Sequence, residues 1–369
     1  MENYISRMRD FYSFKPGARI VQEEFGFYCI EKWKSGGFID ESADGDKLSE
    51  LFGYDANAKF MLWRTGSIIA PFWPCFEEKI LESADGRELV SDSAGRKVLY
   101  FKGRRNGFMP EYVDHPVKDM ATWEKLKWRL DPDTPGRFAS LGESMEPCIR
   151  GAKDGMVVCQ HVIGGYMYLR SLIGPLELLY KFRDDPNLIF EIMGTWFAMA
   201  DKVTSEHQKY VTLDELYMGE DICYNHGLLI SPEMVREFLF PYYEQLFANV
   251  KSRQLDKSRK LHIQIDTDGN CLDAIDLYKS IGMDYMSPFE AAAGCDVVEI
   301  RKKYPDLLMR GGIDKRILAE DKDSIDREVE RIMPFMVERG GYIPTCDHGV
   351  PEEVPFENYM HYRKRMLEY

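Results

Sequence analysis

Roughly the last hundred residues constrain this chain most, because short apolar runs there keep ending in ionisable residues. Lys260-Leu-His-Ile-Gln-Ile-Asp266 runs into an Asp-Thr-Asp-Gly turn, and Met283-Asp-Tyr-Met-Ser-Pro-Phe-Glu290 ends in a carboxylate. Leu307-Leu-Met-Arg-Gly-Gly-Ile-Asp314 leads into Lys315, and Gly341-Tyr-Ile-Pro-Thr-Cys-Asp-His348 ends in Asp-His. A helical pattern follows each one. Strands that alternate with helices build a parallel sheet. In a (β/α)8 barrel the carboxyl ends of the strands meet on one face, where the chemistry sits. Helix capping by Asp explains one or two such endings, but four in series read as one site assembled from scattered sequence.

The alternation extends upstream. Ala18–Phe27 and Ala58–Arg64 read as the first two strands, Gly155–His161 as the third, and Tyr210–Asp221 holds the fourth. Helices are expected around Gly165–Phe182 and Pro186–Lys209, and Ser231-Pro232-Glu233 opens another with an N-cap, a first-turn proline and an acid. Between Glu77 and Lys102 the pairs Asp85-Gly86 and Ala94-Gly95 separate alternating segments, the pattern of a β-meander. The expectation is therefore a single-domain (β/α)8 TIM barrel over residues 1–369 with an antiparallel β insertion at 77–102 in its N-terminal part. Barrels of this class accommodate 369 residues.

The formal charge of −14 argues against nucleic acid or an anionic membrane as a partner. The sequence has no apolar run of about 18 residues, and its first ten residues lack the apolar core of a signal peptide. Its eight cysteines form no Cys-x-x-Cys pair, which reads as reduced core thiols of a cytoplasmic protein.

His262, Gln264 and Asp266 alternate along one strand, so they share a face. Glu290 closes strand six and His348 strand eight. Two imidazoles and a carboxylate suit zinc or a similar divalent ion with an open position; the alternative is a set of hydrogen-bonded pocket residues without an ion. Glu220-Asp221 is a paired acid at the end of strand four, suited to general acid–base work, although alternation turns only one of the two inward. Asp347 either orients His348 or faces the helices. His161, Gln264, Asp266, Asp314 and Lys315 are the expected substrate contacts, with Gly164-Gly165 after His161 as an anion seat. Trp63, Trp73, Tyr166, Tyr168 and Phe289 read as aromatic walls or simply as core.

Leu229-Ile-Ser-Pro-Glu-Met-Val-Arg-Glu-Phe238, the His262 strand, Met286-Ser-Pro-Phe-Glu290, Arg310-Gly-Gly-Ile-Asp314 and Asp347-His-Gly-Val-Pro351 together resemble the uroporphyrinogen decarboxylase superfamily. The resemblance covers residues 150–369 well and the first 150 more loosely. It implies a (β/α)8 barrel and either decarboxylation or methyl transfer between a corrinoid protein and a thiol or other acceptor through zinc. Two departures stand out. Where the decarboxylase carries an Arg-Gln-Ala-Gly-Arg segment, this chain has Val21-Gln-Glu-Glu-Phe-Gly-Phe27, so Glu23 and Glu24 should repel a polycarboxylate tetrapyrrole. Where the thiol methyltransferases have His-x-Cys and a later Cys, this chain has His262, Gln264 and His348, with Cys346 two residues away.

The leading expectation is a methyl-transferring enzyme with a metal on His262, Glu290 and His348, acting on a small molecule with a corrinoid protein as partner, as a homodimer. The alternatives are a metal-free lyase that decarboxylates a small acid, and a non-catalytic ligand-binding barrel.

Overall fold

The computed structural model describes residues 2–103 and 110–369. Its centre is a curled, TIM-barrel-like parallel sheet of seven strands, in the order β1 (Lys59–Leu62), β6 (Val157–Ile163), β7 (Glu215–Gly219), β10 (His262–Asp266), β11 (Tyr285–Ser287), β12 (Leu308–Arg310) and β13 (Tyr342–Ile343). β6, Val-Val-Cys-Gln-His-Val-Ile, is buried along its whole length, as expected of a strand with helices outside and side chains packed inside. The remaining strands form an antiparallel sheet of β2 (Lys79–Ala84), β3 (Arg87–Ser91), β4 (Lys97–Phe101) and β5 (Glu111–Asp114), and a small hairpin of β8 (Cys223–Tyr224) and β9 (Gly227–Leu228). The meander expected at 77–102 is present and gains β5 as a fourth strand. Asp85 and Gly86, at φ 50° and 73°, join β2 to β3 by the left-handed turn that a tight hairpin requires.

The eighth strand expected at Ala18–Phe27 is not a strand. Among the described residues, its β-pairing is a single parallel bridge between Phe27 and Val350, which lies beyond β13. Partners outside any strand ladder take backbone groups of this segment. The Gln22 amide donates to the Asp55 carboxylate at 2.9 Å and its carbonyl accepts from the Asp55 amide at 2.8 Å. Glu24 accepts from its neighbour's amide, Phe25 N, at 3.0 Å and from Cys346 N at 2.7 Å.

The strand starts share one end of the sheet, where Glu215 pairs in register with His262 and Tyr285 with Leu308. The helix Glu2–Tyr12 covers that end. Its Tyr4, Met8 and Phe11 pack in one cluster with Val157, Tyr285, Leu308 and Ile343. Tyr12 stacks on His262 at 4.4 Å and donates its hydroxyl to Glu215 at 2.5 Å, while Lys59 bonds the same carboxylate at 2.8 Å. Burial works to raise the Glu215 carboxyl, but Lys59 and Tyr12 overcome it and leave the group below its ordinary value. A carboxylate with no solvent exposure is tolerable only when satisfied in this way. Tyr12→Ala should therefore lower the unfolding free energy by roughly 2–4 kcal/mol without changing ligand binding at the opposite face; denaturant unfolding with and without ligand checks both.

Candidate active site

At the carboxyl ends of the strands lies a cavity of about 360 Å³. Asp266, at the end of β10, forms part of its floor. Ser287 donates its hydroxyl to Asp266 and in turn accepts from Gln264 Nε2 at 2.9 Å, so a chain of side chains along β10 and β11 fixes the carboxyl. Burial raises Asp266 to about 6, helped by the nearby Asp268 and opposed by the hydrogen bonds from Ser287 and Tyr217. Asp221, held at a φ of 45° just after β7, is ion-paired with Arg170. Burial lifts it above the ordinary carboxylate range against the pull of that arginine. His348 lies with its Nε2 3.5 Å from Asp268, whose carboxylate holds the imidazole above its usual value against burial. Its ring stacks near Tyr28 and tilts toward Phe25. His161 is sandwiched between Trp63 at 4.3 Å and Tyr217 at 5.1 Å, and burial depresses it to about 4, so it is neutral near pH 7.

The structure thus gathers His161, Asp221, Asp266 and His348 from the expected set around one cavity. The others go elsewhere. His262 starts β10 at the far end of the sheet, where its Nδ1 bonds Asp284 at 2.9 Å under Tyr12, so it shares no site with His348. Glu290 is occupied by the Lys315 ammonium at 3.1 Å and the Gly269 amide at 2.8 Å. Lys315 also lies 3.6 Å from Asp347, which accepts from the Ala291 amide at 2.9 Å. Glu290, Lys315 and Asp347 therefore brace the loops beside the mouth. Asp314 caps the helix Lys315–Ala319 and pairs with Arg316 at 2.7 Å, outside the residues that line the cavity. Gln264 positions Ser287. Glu220 points away from the cavity, between the hydroxyls of Tyr243 at 2.7 Å and Tyr278 at 3.0 Å.

Glu23 and Glu24 also differ from expectation. Glu23 is neutralised by Arg310 at 2.7 Å, and Glu24 accepts from Tyr359 at 2.9 Å. Neither lines the 360 Å³ cavity. Both face a second cavity of about 480 Å³ beside β1, shared with Lys59, Gln264 and Arg310, and Tyr217 forms part of both walls.

Several lining residues were not anticipated. Asp268 was readable as the next same-face position after Asp266. Arg170 lies within the helix Gly165–Ile173 and carried no motif. Arg96, Tyr112 and His115 come from the antiparallel insertion and the segment after it, which lean over the mouth.

A sequence model of the family described as uroporphyrinogen decarboxylase (URO-D) matches residues 100–369. The chain belongs to the uroporphyrinogen decarboxylase family. The uroporphyrinogen decarboxylase of Geotalea uraniireducens is 25% identical over 263 residues, 69% of this chain and 72% of that one. That of Geobacter sulfurreducens is 24% identical over 269 residues, covering 70% and 73%. Among solved structures, a methyltransferase from Methanosarcina mazei superposes with a TM-score of 0.61 at 12% identity, over 99% of this chain and 98% of its own. That likeness concerns the fold.

For the zinc implied by the superfamily resemblance, this family member does not bring His262, Glu290 and His348 together. Among the described residues no group of three or more His, Cys, Asp or Glu is arranged to hold a metal ion. No helix among them is long and apolar enough to cross a membrane.

Glu220 offers a test of the electrostatics around this uroporphyrinogen decarboxylase relative's sheet. Burial raises it from an ordinary 4.5 to about 7, with the Tyr243 and Tyr278 hydrogen bonds opposing. The folded chain holds a proton there that the unfolded chain releases. The associated stability is complete below the unfolded value and is lost as pH rises through about 7, by about 3 kcal/mol. Glu220→Gln cannot ionise, so its melting temperature should fall less between pH 5 and pH 8 than that of the wild type, by a few degrees. Calorimetry across that range checks it.

Proposed function

We propose that this chain is a lyase that decarboxylates a small carboxylic acid, with Asp266 as the proton donor. The observation that carries the reading is a buried carboxyl, held by Ser287 and Tyr217 and poised at about 6, on the floor of a cavity that also holds cationic side chains. An acid tuned toward neutrality suits proton transfer at physiological pH. In the reaction the bond between the substrate carbon and its carboxylate breaks. The electron pair moves into an electron-withdrawing group of the substrate, and carbon dioxide leaves. The Asp266 proton then passes to the carbon, and the resulting carboxylate regains a proton from water. His161, pressed between Trp63 and Tyr217, keeps a neutral, dry wall beside the reacting centre.

The cavity size supports a small substrate. About 360 Å³ falls at the low end of small-molecule sites, roughly 300–1,000 Å³. The second reading is methyl transfer with a corrinoid partner, favoured by the full-length likeness to the M. mazei methyltransferase. It requires a metal seat other than His262, Glu290 and His348.

The test is carbon dioxide release from a panel of small 3-oxo and malonate-type acids. Asp266→Asn should lower kcat about a hundredfold. Because the protonated acid is the active form, kcat/KM should fall about tenfold per unit as pH rises above about 6. Anaerobic incubation with uroporphyrinogen should yield no product with fewer carboxylates. Methyl transfer without carbon dioxide release, or full activity in Asp266→Asn, sinks the lyase reading.

A further inference from the structure

We propose that His161 donates a hydrogen bond from Nε2 to the keto oxygen of the substrate, across a notch left open at Gly219, so that the acid decarboxylated is a small 3-oxo acid. The inference deepens the reading above by naming the substrate class, and it rests on that reading only for the bond that breaks.

The notch follows from strand register. Gly219 stands beside Asp266 on β10 and Ile163 on β6, while Tyr217 stands beside His161. His161, Tyr217, Gly219 and Asp266 all line the cavity of about 360 Å³. The backbone at Gly219 is of a kind any residue can adopt, so conformation does not require glycine there. A β-carbon at that position would meet Tyr217 Cε1 at 3.8 Å and His161 Nε2 at 3.9 Å, ordinary contact distances. Glycine therefore leaves space in front of Nε2, one strand away from Asp266. Neighbouring strands lie about 4.8 Å apart, so a group of a few atoms seated over Gly219 reaches both side chains.

Three cationic groups of the same wall are already matched, Arg170 by Asp221, His348 by Asp268 and Arg96 by Asp92. The His161 ring is not. Only 4% of the residue is exposed, Trp63 and Tyr217 clamp the ring, and Nδ1 is buried with no hydrogen-bond partner among the described residues. Burial keeps the ring neutral near pH 7, and the Gly66 carbonyl, which works the other way, closes no hydrogen bond on Nδ1. A neutral imidazole carries one proton. On Nδ1 it would be a buried donor with nothing to bond, the rarer defect in folded proteins; on Nε2 it faces the notch. A neutral donor suits an oxygen that is uncharged in the substrate and gains charge only as the bond breaks. A malonate-type acid would instead press a second full charge against an aromatic wall without a counter-charge, which is costly. As carbon dioxide leaves, the electron pair passes to the keto oxygen and gives an enolate held by Nε2–H. The Asp266 proton then reaches the carbon, the pair returns to re-form the ketone, and His161 keeps its own proton throughout.

The test begins with binding to the full-length protein, without turnover, by calorimetry. The probes are acetonyl sulfonate, a keto acid analogue that cannot lose carbon dioxide, and propyl sulfonate, which lacks the keto oxygen. Wild type should prefer the keto probe by about three- to tenfold, the range for one neutral hydrogen bond. His161→Phe keeps the ring stack but has no donor, and should lose that preference while its affinity for propyl sulfonate stays within about twofold. Gly219→Ala keeps His161 but covers Nε2, and should lose the preference as well. Nitrogen NMR of the histidine rings at pH 7, with His161→Phe to assign the signal, should show a neutral imidazole protonated at Nε2. Wild type without a preference for the keto probe overturns the proposal, as does an undiminished preference in His161→Phe or a ring protonated at Nδ1. Should His161→Phe fail to fold, an undiminished preference in Gly219→Ala overturns it instead. In turnover of a 3-oxo acid, His161→Phe should lower kcat about a hundredfold. The two readings fail separately. Selection of the keto probe through His161 without carbon dioxide release from any acid sinks the lyase assignment alone. Carbon dioxide release as fast in His161→Phe as in wild type sinks the keto seat alone.

Discussion

Parallel strands all begin at one end, and whatever covers that end decides whether the other is free for chemistry. Here the cover is the helix Glu2–Tyr12, seated on the strand starts through Tyr12, Glu215, Lys59 and His262. The arrangement places a charged, fully satisfied layer beneath the sheet. With that layer sealed, strand ends such as Asp266 and the residues just after β7 and β13 turn toward a cavity whose walls are supplied by loops and by the insertion.

Partial burial then sets the character of the site. Asp266, Asp221 and Asp347 are each lifted by loss of water, while Ser287, Arg170 and Lys315 respectively draw them back. The balance differs at each. Asp266 has hydroxyl partners and comes to rest near 6, whereas Asp347 and Glu290 share one ammonium and serve as braces. Residues of the same chemical type thus acquire different roles through what lies within about 3 Å of them.

Much of the fold and part of the site could be read from the residues. The alternation located most of the parallel strands, and the turn pairs located the meander. The strand endings identified His161, Asp221, Asp266 and His348. What failed was height along the strand. His262 and Asp266 share a face, as alternation requires, yet four residues of strand separate them by roughly 13 Å, enough to place one beneath the sheet and the other in the cavity. The Glu220-Asp221 pair split just past the end of β7, where the left-handed backbone at Asp221 puts Asp221 at the cavity and leaves Glu220 between Tyr243 and Tyr278. No periodicity shows over which opening a meander will fold, so Arg96 and Tyr112 were invisible. At the expected strand Ala18–Phe27, Asp55 takes both backbone groups of Gln22 in place of a neighbouring strand.

That lost strand has a further consequence. β1 is an edge of the seven-stranded sheet, and on that side Lys59 and Met61 face a cavity shared with Glu23, Gly26 and Phe27. The segment shields the edge without pairing to it, tethered by Gln22 to Asp55 and by Phe27 to Val350. An unpaired strand edge is a template for the strand of another molecule. The tethers at Gln22 and Phe27 therefore hold the cover of a strand edge in place, so that the segment does by contact what an eighth strand would do by pairing.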